Sequence, residues 1–98
     1  MIRDLEIGRL ARKEYDEAAD WYEARRKGLG NEYISAVRFR LRTITSHPER
    51  FAVVYGDVRE ALVKRFPYVV YFRVLAERIL ILAIIHTSRD PQEWQRRV

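Results

Sequence analysis

The chain has 98 residues, 48% hydrophobic and 34% charged, a balance that suits one globular domain over residues 1–98 with a simple core and excludes a disordered segment. It has no cysteine, so disulfides, thiol catalysis and cysteine metal sites are excluded. The formal charge of +5 is uneven: residues 1–24 hold four basic and seven acidic groups, residues 25–98 fifteen and seven. A basic later part fits a polyanion or an acidic protein partner, and equally a merely solvated surface.

The opening "MIRDLEIGRL" lacks the apolar stretch of a signal peptide, and Asp4 and Glu6 argue against one. The longest apolar run, Ile79 to Ile85, is too short to span a bilayer. The expectation is a soluble cytoplasmic protein that does not engage membranes.

"IRDLEI" reads as a first strand, with Leu5 and Ile7 two apart. From Arg9 the spacing becomes helical. Leu10, Tyr15, Ala18, Ala19 and Tyr22 form an apolar stripe, and Arg12, Lys13, Asp16, Glu17 and Asp20 fill the other side. Gly28 and Gly30 end that helix, and Asn31 is the expected cap of a second. Its buried stripe is Ile34, Val37, Leu41 and Ile44, and Ser46-His47-Pro48 closes it. So short a link predicts an antiparallel helix pair.

After Pro48 the pattern is β. Val53 to Tyr55, Arg59 to Arg65, Pro67 to Val74 and Arg78 to His86 are rich in branched and aromatic residues. "DPQEW" starts a short closing helix at Pro91, with Trp94 packing and Arg96 and Arg97 exposed. The expected class is α+β: a strand, a helix pair, a three- to four-stranded antiparallel meander and a C-terminal helix. The helix pair lies on one face of the sheet.

A turn centred on Ala76-Glu77 pairs residues whose numbers sum to 153. Val70, Phe72, Val74, Ile79, Ile81, Ala83 and Ile85 then lie beneath the helices, together with Tyr68. Tyr71, Arg73 and His86 fall on the opposite, uncovered side. A tight Phe66-Pro67 turn adds Lys64 to that side, opposite Val69, with Glu60 opposite Arg73. Basic groups beside an aromatic on an open sheet suit phosphate contacts and base stacking, or an ordinary solvated strand.

His86 carries an imidazole, a side-chain type suited to exchanging a proton during RNA cleavage while Arg73 and Arg89 stabilise the charge on phosphorus. It equally suits a hydrogen-bonding strand end. His47 reads as a helix C-terminal cap and Trp21-Tyr22 as helix packing. No ligand spacing or phosphate loop points to a metal or cofactor.

Taken together, Ala18-Ala19-Asp20-Trp21-Tyr22-Glu23, Gly28-Leu29-Gly30, Ile44 with His47-Pro48, Val58-Arg59, "KRFPYVVYFRV", "ILAIIHTSRDP" and Trp94 resemble the RelE/ParE superfamily of type II toxin–antitoxin toxins. The two most specific pieces are Phe66-Pro67-Tyr68 with Tyr71, and His86-x-x-Arg89-x-Pro91. The resemblance implies a small toxin bound and neutralised by a cognate antitoxin, as a hetero-oligomer. It also implies one of two targets: messenger RNA in the ribosome, cut without a metal, or DNA gyrase.

RelE-like nucleases carry basic residues on the strand before the FPY-like turn and an arginine just after its tyrosine. Here Glu60, Leu62 and Val69 stand in those places, and no tyrosine follows Arg89. That departure favours a ParE-like protein with a non-nucleolytic target over a nuclease, DNA gyrase being the target of that kind that the resemblance offers. In the nuclease alternative Arg89, His86, Arg73 and Lys64 are the catalytic candidates. Arg59, Arg65, Tyr71, Arg96 and Arg97 are the candidates for contact with a target or nucleic acid. A third reading is an antitoxin-binding module without toxicity.

Overall fold

The computed structural model describes residues 3–98, so Ile2, placed in the first strand above, lies outside the described residues. In chain order it holds β1 (Asp4–Ile7), α1 (Arg9–Arg25), α2 (Leu29–Ser46), a 3-10 turn (Pro48–Arg50), β2 (Val53–Tyr55), β3 (Val58–Leu62), β4 (Tyr68–Val74), β5 (Arg78–His86) and α3 (Gln92–Gln95). The sheet order is β1-β5-β4-β3-β2. The last four strands form an antiparallel meander, while β1 pairs in parallel with β5 because the helix pair crosses between them.

The buried face of α1 is Ala11, Tyr15, Ala18 and Ala19, with Tyr22 partly buried. Leu10, expected in that stripe, is one step out of phase and exposed. In α2 the stripe is Gly30, Tyr33, Val37, Leu41 and Ile44, and Ile34 is only partly buried. Asn31 does not cap this helix. Gly28 precedes it with φ 89°, and the Glu23 carboxylate on α1 accepts the N–H groups of Gly28 and Gly30 at 3.0–3.1 Å. A carboxylate thus takes the free donors at a helix start, supplied from the neighbouring helix rather than from the loop. A Cβ on Gly30 would stand 2.8 Å from the Ala19 carbonyl oxygen, which is why the helices can close here.

The helix pair covers one sheet face, where Tyr33, Val37 and Ile44 meet Val70, Phe72, Ile79, Ile81 and Ile84. The other face is not uncovered. Val58, Leu82, Ala83 and Ile85 form a second small core beneath Trp94, which is 2% exposed. The expectation of one bare face therefore fails, because α3 folds back as a lid for it.

The β4–β5 register begins as expected. Val74 opposes Ile79, Arg73 opposes Leu80 and Phe72 opposes Ile81. Then Tyr71 opposes Ala83, leaving Leu82 as an extra residue in β5. This β-bulge reverses parity for the rest of the strand. Ala83 and Ile85 pass to the Trp94 side, whereas Ile84 passes to the helix side and His86 lies opposite Tyr68. His86 therefore does not share a surface with Tyr71 and Arg73.

The expected β3 register is also displaced. Leu62, not Lys64, opposes Val69, and Glu60 opposes Tyr71 rather than Arg73. Instead of a tight Phe66-Pro67 turn, Val63 N–H bonds Tyr68 O at 2.9 Å across a wider loop containing Arg65 at φ 72°. Strand β3 ends at Leu62, so Lys64 is a loop residue and its ammonium lies 5.6 Å from the Phe39 ring of α2.

Candidate functional site

A cleft of about 510 Å³ lies between α1 and the ends of β4 and β5. Helix α1 contributes Glu14, Glu17, Trp21 and Tyr22; β4 contributes Tyr68; β5 contributes Ile84 and His86; and Arg89 follows from the loop. Helical spacing aligns Glu14, Glu17 and Trp21 along one wall. Tyr22 packs inward on Tyr33, Phe66 and Tyr68 at 4.9–6.0 Å between ring centroids. Trp21 remains 52% exposed, with the Arg25 guanidinium 4.1 Å from its ring.

His86 stands edge-to-face with Tyr68, their centroids 5.5 Å apart. Its Nδ1 accepts the Ser88 N–H at 3.0 Å and lies 2.8 Å from Ser88 Oγ. An amide N–H can only donate, so the neutral ring carries its proton on Nε2. Arg89 donates through Nε to Glu93 Oε1 at 3.2 Å and through Nη2 to Glu93 Oε2. That hydrogen bonding holds the Glu93 carboxyl below its usual range and raises Arg89. Burial pushes the Tyr68 phenol up, with Arg89 pulling the other way. The cleft can thus present an Nε2–H donor and a guanidinium to a ligand, above a ring-lined wall.

Of the four catalytic candidates, only His86 and Arg89 share this cleft. Arg73 is engaged elsewhere by Asp57, with Nε to Oδ1 at 3.0 Å and Nη2 to Oδ2 at 3.1 Å. Lys64 lies beside Phe39, in a second hollow lined also by Asn31, Glu32, Ser35, Ala36 and Arg65. Among the residues expected to meet a target, Arg65 pairs with Glu32 at 2.9 Å, and Glu32 also holds Arg26 at 3.0 Å. Arg59 donates to the carbonyl oxygen of Phe51 at 2.7 Å. Tyr71 stacks under Trp94, with centroids 4.1 Å apart and planes at 18°. Arg97 is bound to Glu14 at 2.7 Å, while Arg96 is exposed. The nine candidates are spread over several surfaces, and Arg59, Tyr71 and Arg97 are tied into the structure itself.

Sequence reasoning missed Glu14, Glu17, Trp21 and Tyr68 as cleft residues. The α1 spacing could have put the first three on one face, but nothing local shows which strand that face meets. Among the described residues, no three His, Cys, Asp or Glu side chains gather as metal ligands would, and no helix is long and apolar enough to cross a membrane.

A strand, a helix hairpin, an antiparallel meander and a returning short helix thus frame a cleft where α1 crosses the last strand. The model of the family described as the ParE toxin of the type II toxin–antitoxin system, parDE, matches residues 5–91. The chain belongs to the ParE toxin family and is a type II toxin component. Among solved structures, the chromosomal ParDE toxin–antitoxin system from P. aeruginosa includes a similar chain. It has a TM-score of 0.76 and 20% identity, over 87% of this chain and 96% of that one. At that identity the likeness concerns the fold. No curated protein sequence matches.

Proposed function

We propose that this ParE-family toxin arrests growth by poisoning DNA gyrase and is silenced by a cognate antitoxin bound to it. The observation that carries the choice of target is the side-chain set on β3 and β4. Where RelE-like nucleases place cations, Glu60 and Leu62 occupy β3 and Val69 is buried in β4. Two further candidates for phosphate chemistry, Arg73 and Arg89, already have carboxylate partners. A reaction that cuts RNA without a metal needs free cations around the phosphorus, and this arrangement offers few.

Antitoxin binding is supported by exposed apolar side chains on the edge strand β2, on β3 and on α2. Val53, Val54 and Tyr55 lie on the edge strand β2, and Leu62 and Phe39 are also exposed. In the β3–β4 loop the Lys64 ammonium lies 5.6 Å from the Phe39 ring. An open edge, exposed apolar side chains and a cation beside one of them fit an acidic partner that adds a strand or an amphipathic helix, leaving a toxin–antitoxin hetero-oligomer.

The nuclease reading keeps one favourable observation, that His86 and Arg89 share a cleft. Inducing the protein alone and mapping messenger RNA ends by primer extension separates the two. Gyrase poisoning predicts an SOS response without discrete codon-positioned cuts; such cuts would establish the nuclease. Normal growth on induction, with tight binding to the product of an adjacent gene, would leave a binding module without toxicity.

A further inference from the structure

The run "ILILAII" from Ile79 to Ile85 is apolar at every position, so alternation does not choose which of its residues face the helices. Continued without the bulge, the register of the hairpin tip would set Val70 opposite Ala83 and Tyr68 opposite Ile85. Ile84 would then turn towards Trp94, and His86 would leave the helix side. The observed register instead inserts Leu82 as an extra residue. Something besides hydrophobic pattern must hold it.

Strand β1 pairs with β5 only as far as Ile81, and Gly8 N–H takes the Ile81 carbonyl at 2.9 Å. Past that point two side chains stand in for a neighbouring strand. Glu14 Oε1 accepts the Ile84 N–H at 3.1 Å, and Arg97 Nη1 donates to the Leu82 carbonyl at 2.9 Å. These side chains also join each other, Nη1 to Oε1 at 3.0 Å and Nη2 to Oε2 at 2.7 Å. They are only 14% and 17% exposed, so the pair is little screened by water.

We propose that Glu14 and Arg97 are positioning residues whose joined hydrogen bonds to the β5 backbone lock the strand in its bulged register and so set His86 into the cleft beside Arg89. The lock grips the backbone on both sides of Ala83, the first residue paired after the bulge, where the regular and bulged registers diverge. Arg97 lies beyond the segment matched by the family model. The inference concerns where His86 sits and holds whichever target the toxin has.

The test is NMR on the full chain, comparing the wild type with Glu14→Ala, Glu14→Gln, Arg97→Met and Arg97→Lys. The wild type should show ring contacts between His86 and Tyr68 and a protected Ile84 amide. Glu14→Ala and Arg97→Met should lose the His86–Tyr68 contact and gain contacts between Ile84 and Trp94. Their Ile84 amide should exchange at least about tenfold faster. Glu14→Gln keeps an oxygen acceptor for Ile84 and should retain wild-type contacts. A pair that only adds stability would lower the melting temperature of both disruptive variants yet leave His86 on Tyr68, and that result overturns the proposal. Should both fail to fold, Arg97→Lys decides: it keeps the charge without the forked donors, and should populate both registers as two sets of resonances. One wild-type-like set overturns the lock.

Discussion

Trp94 lies flat on Tyr71, ring centroids 4.1 Å apart, and the edge of Tyr55 meets the same indole at 5.6 Å. A single side chain from a four-residue helix therefore closes the second core of the molecule over Val58, Leu82, Ala83 and Ile85. Burial there pushes the Tyr71 phenol up. Trp94→Ala should cost about 3–5 kcal/mol of folding stability, the range for emptying a large aromatic site. Trp21→Ala, at a half-exposed site, should cost much less. Urea denaturation of both variants checks the contrast, and equal losses would mean that α3 does not cap the sheet.

Phe72 is fully buried between the helix pair and the sheet, with Phe51 edge-on at 5.8 Å. Phe72→Asp places a carboxylate there without a partner and should unfold the domain. Circular dichroism reads the outcome, and a folded variant would reverse the assigned core face.

Gly30→Ala drives a methyl against the Ala19 carbonyl oxygen at 2.8 Å and should destabilise by about 1–3 kcal/mol through forced separation of α1 and α2. Gly28→Ala meets no atom within 4 Å, but its φ of 89° strains any side chain, at about 1–2 kcal/mol. Thermal melts should show both variants below the wild type. A wild-type melting temperature for Gly30→Ala would mean that the helices have room to part.

Three carboxylates are held below their usual range by arginine hydrogen bonds: Asp57 by Arg73, Glu93 by Arg89, and Glu32 by Arg26 and Arg65. A depressed folded-state value means that their stabilisation is present above the ordinary carboxylate range, about pH 4, and is lost as pH falls through the folded values. Asp57 is exposed and Glu32 and Glu93 are only partly buried, so water screens each pair and each effect is small. Replacing them together with Asn and Gln should flatten the acid limb of the stability–pH curve and leave the curve above pH 7 parallel to the wild type. An unchanged acid limb would show that these pairs do not form in solution.

His86→Ala removes the imidazole from the cleft without emptying a buried site, because His86 is only partly buried. The variant should fold and, for a toxin that poisons gyrase, should still arrest growth on induction. Loss of toxicity in a folded protein would move His86 into catalysis and favour the nuclease.

The element order and most of the sheet were legible because helical and strand periodicities switch clearly at Pro48, and turn residues mark the breaks. Besides the sheet face that α3 unexpectedly covers, three errors have clear physical sources. The bulge at Leu82 was hidden because its strand is apolar on both faces, so the slip that turns His86 towards Tyr68 leaves no mark in the pattern. The β3–β4 loop looked like a tight turn at Phe66-Pro67, but Arg65 takes a positive φ and lengthens it, which removes Lys64 from the sheet. The cap of α2 comes from Glu23 on another helix, a tertiary contact invisible to local rules. Of the residues that line the cleft, His86 and Arg89 were singled out by the motif that ends β5. Their cleft partners on α1 depend on a packing that spacing alone does not fix.

The most direct test of the central claim is to incubate the purified toxin with DNA gyrase, plasmid and ATP and to look for covalent enzyme–DNA cleavage complexes after denaturant and protease. The account predicts linear plasmid that increases with toxin and disappears when the cognate antitoxin is added first. Supercoiling that proceeds unchanged at every toxin concentration, alongside codon-positioned cuts in ribosome-bound messenger RNA, would contradict it.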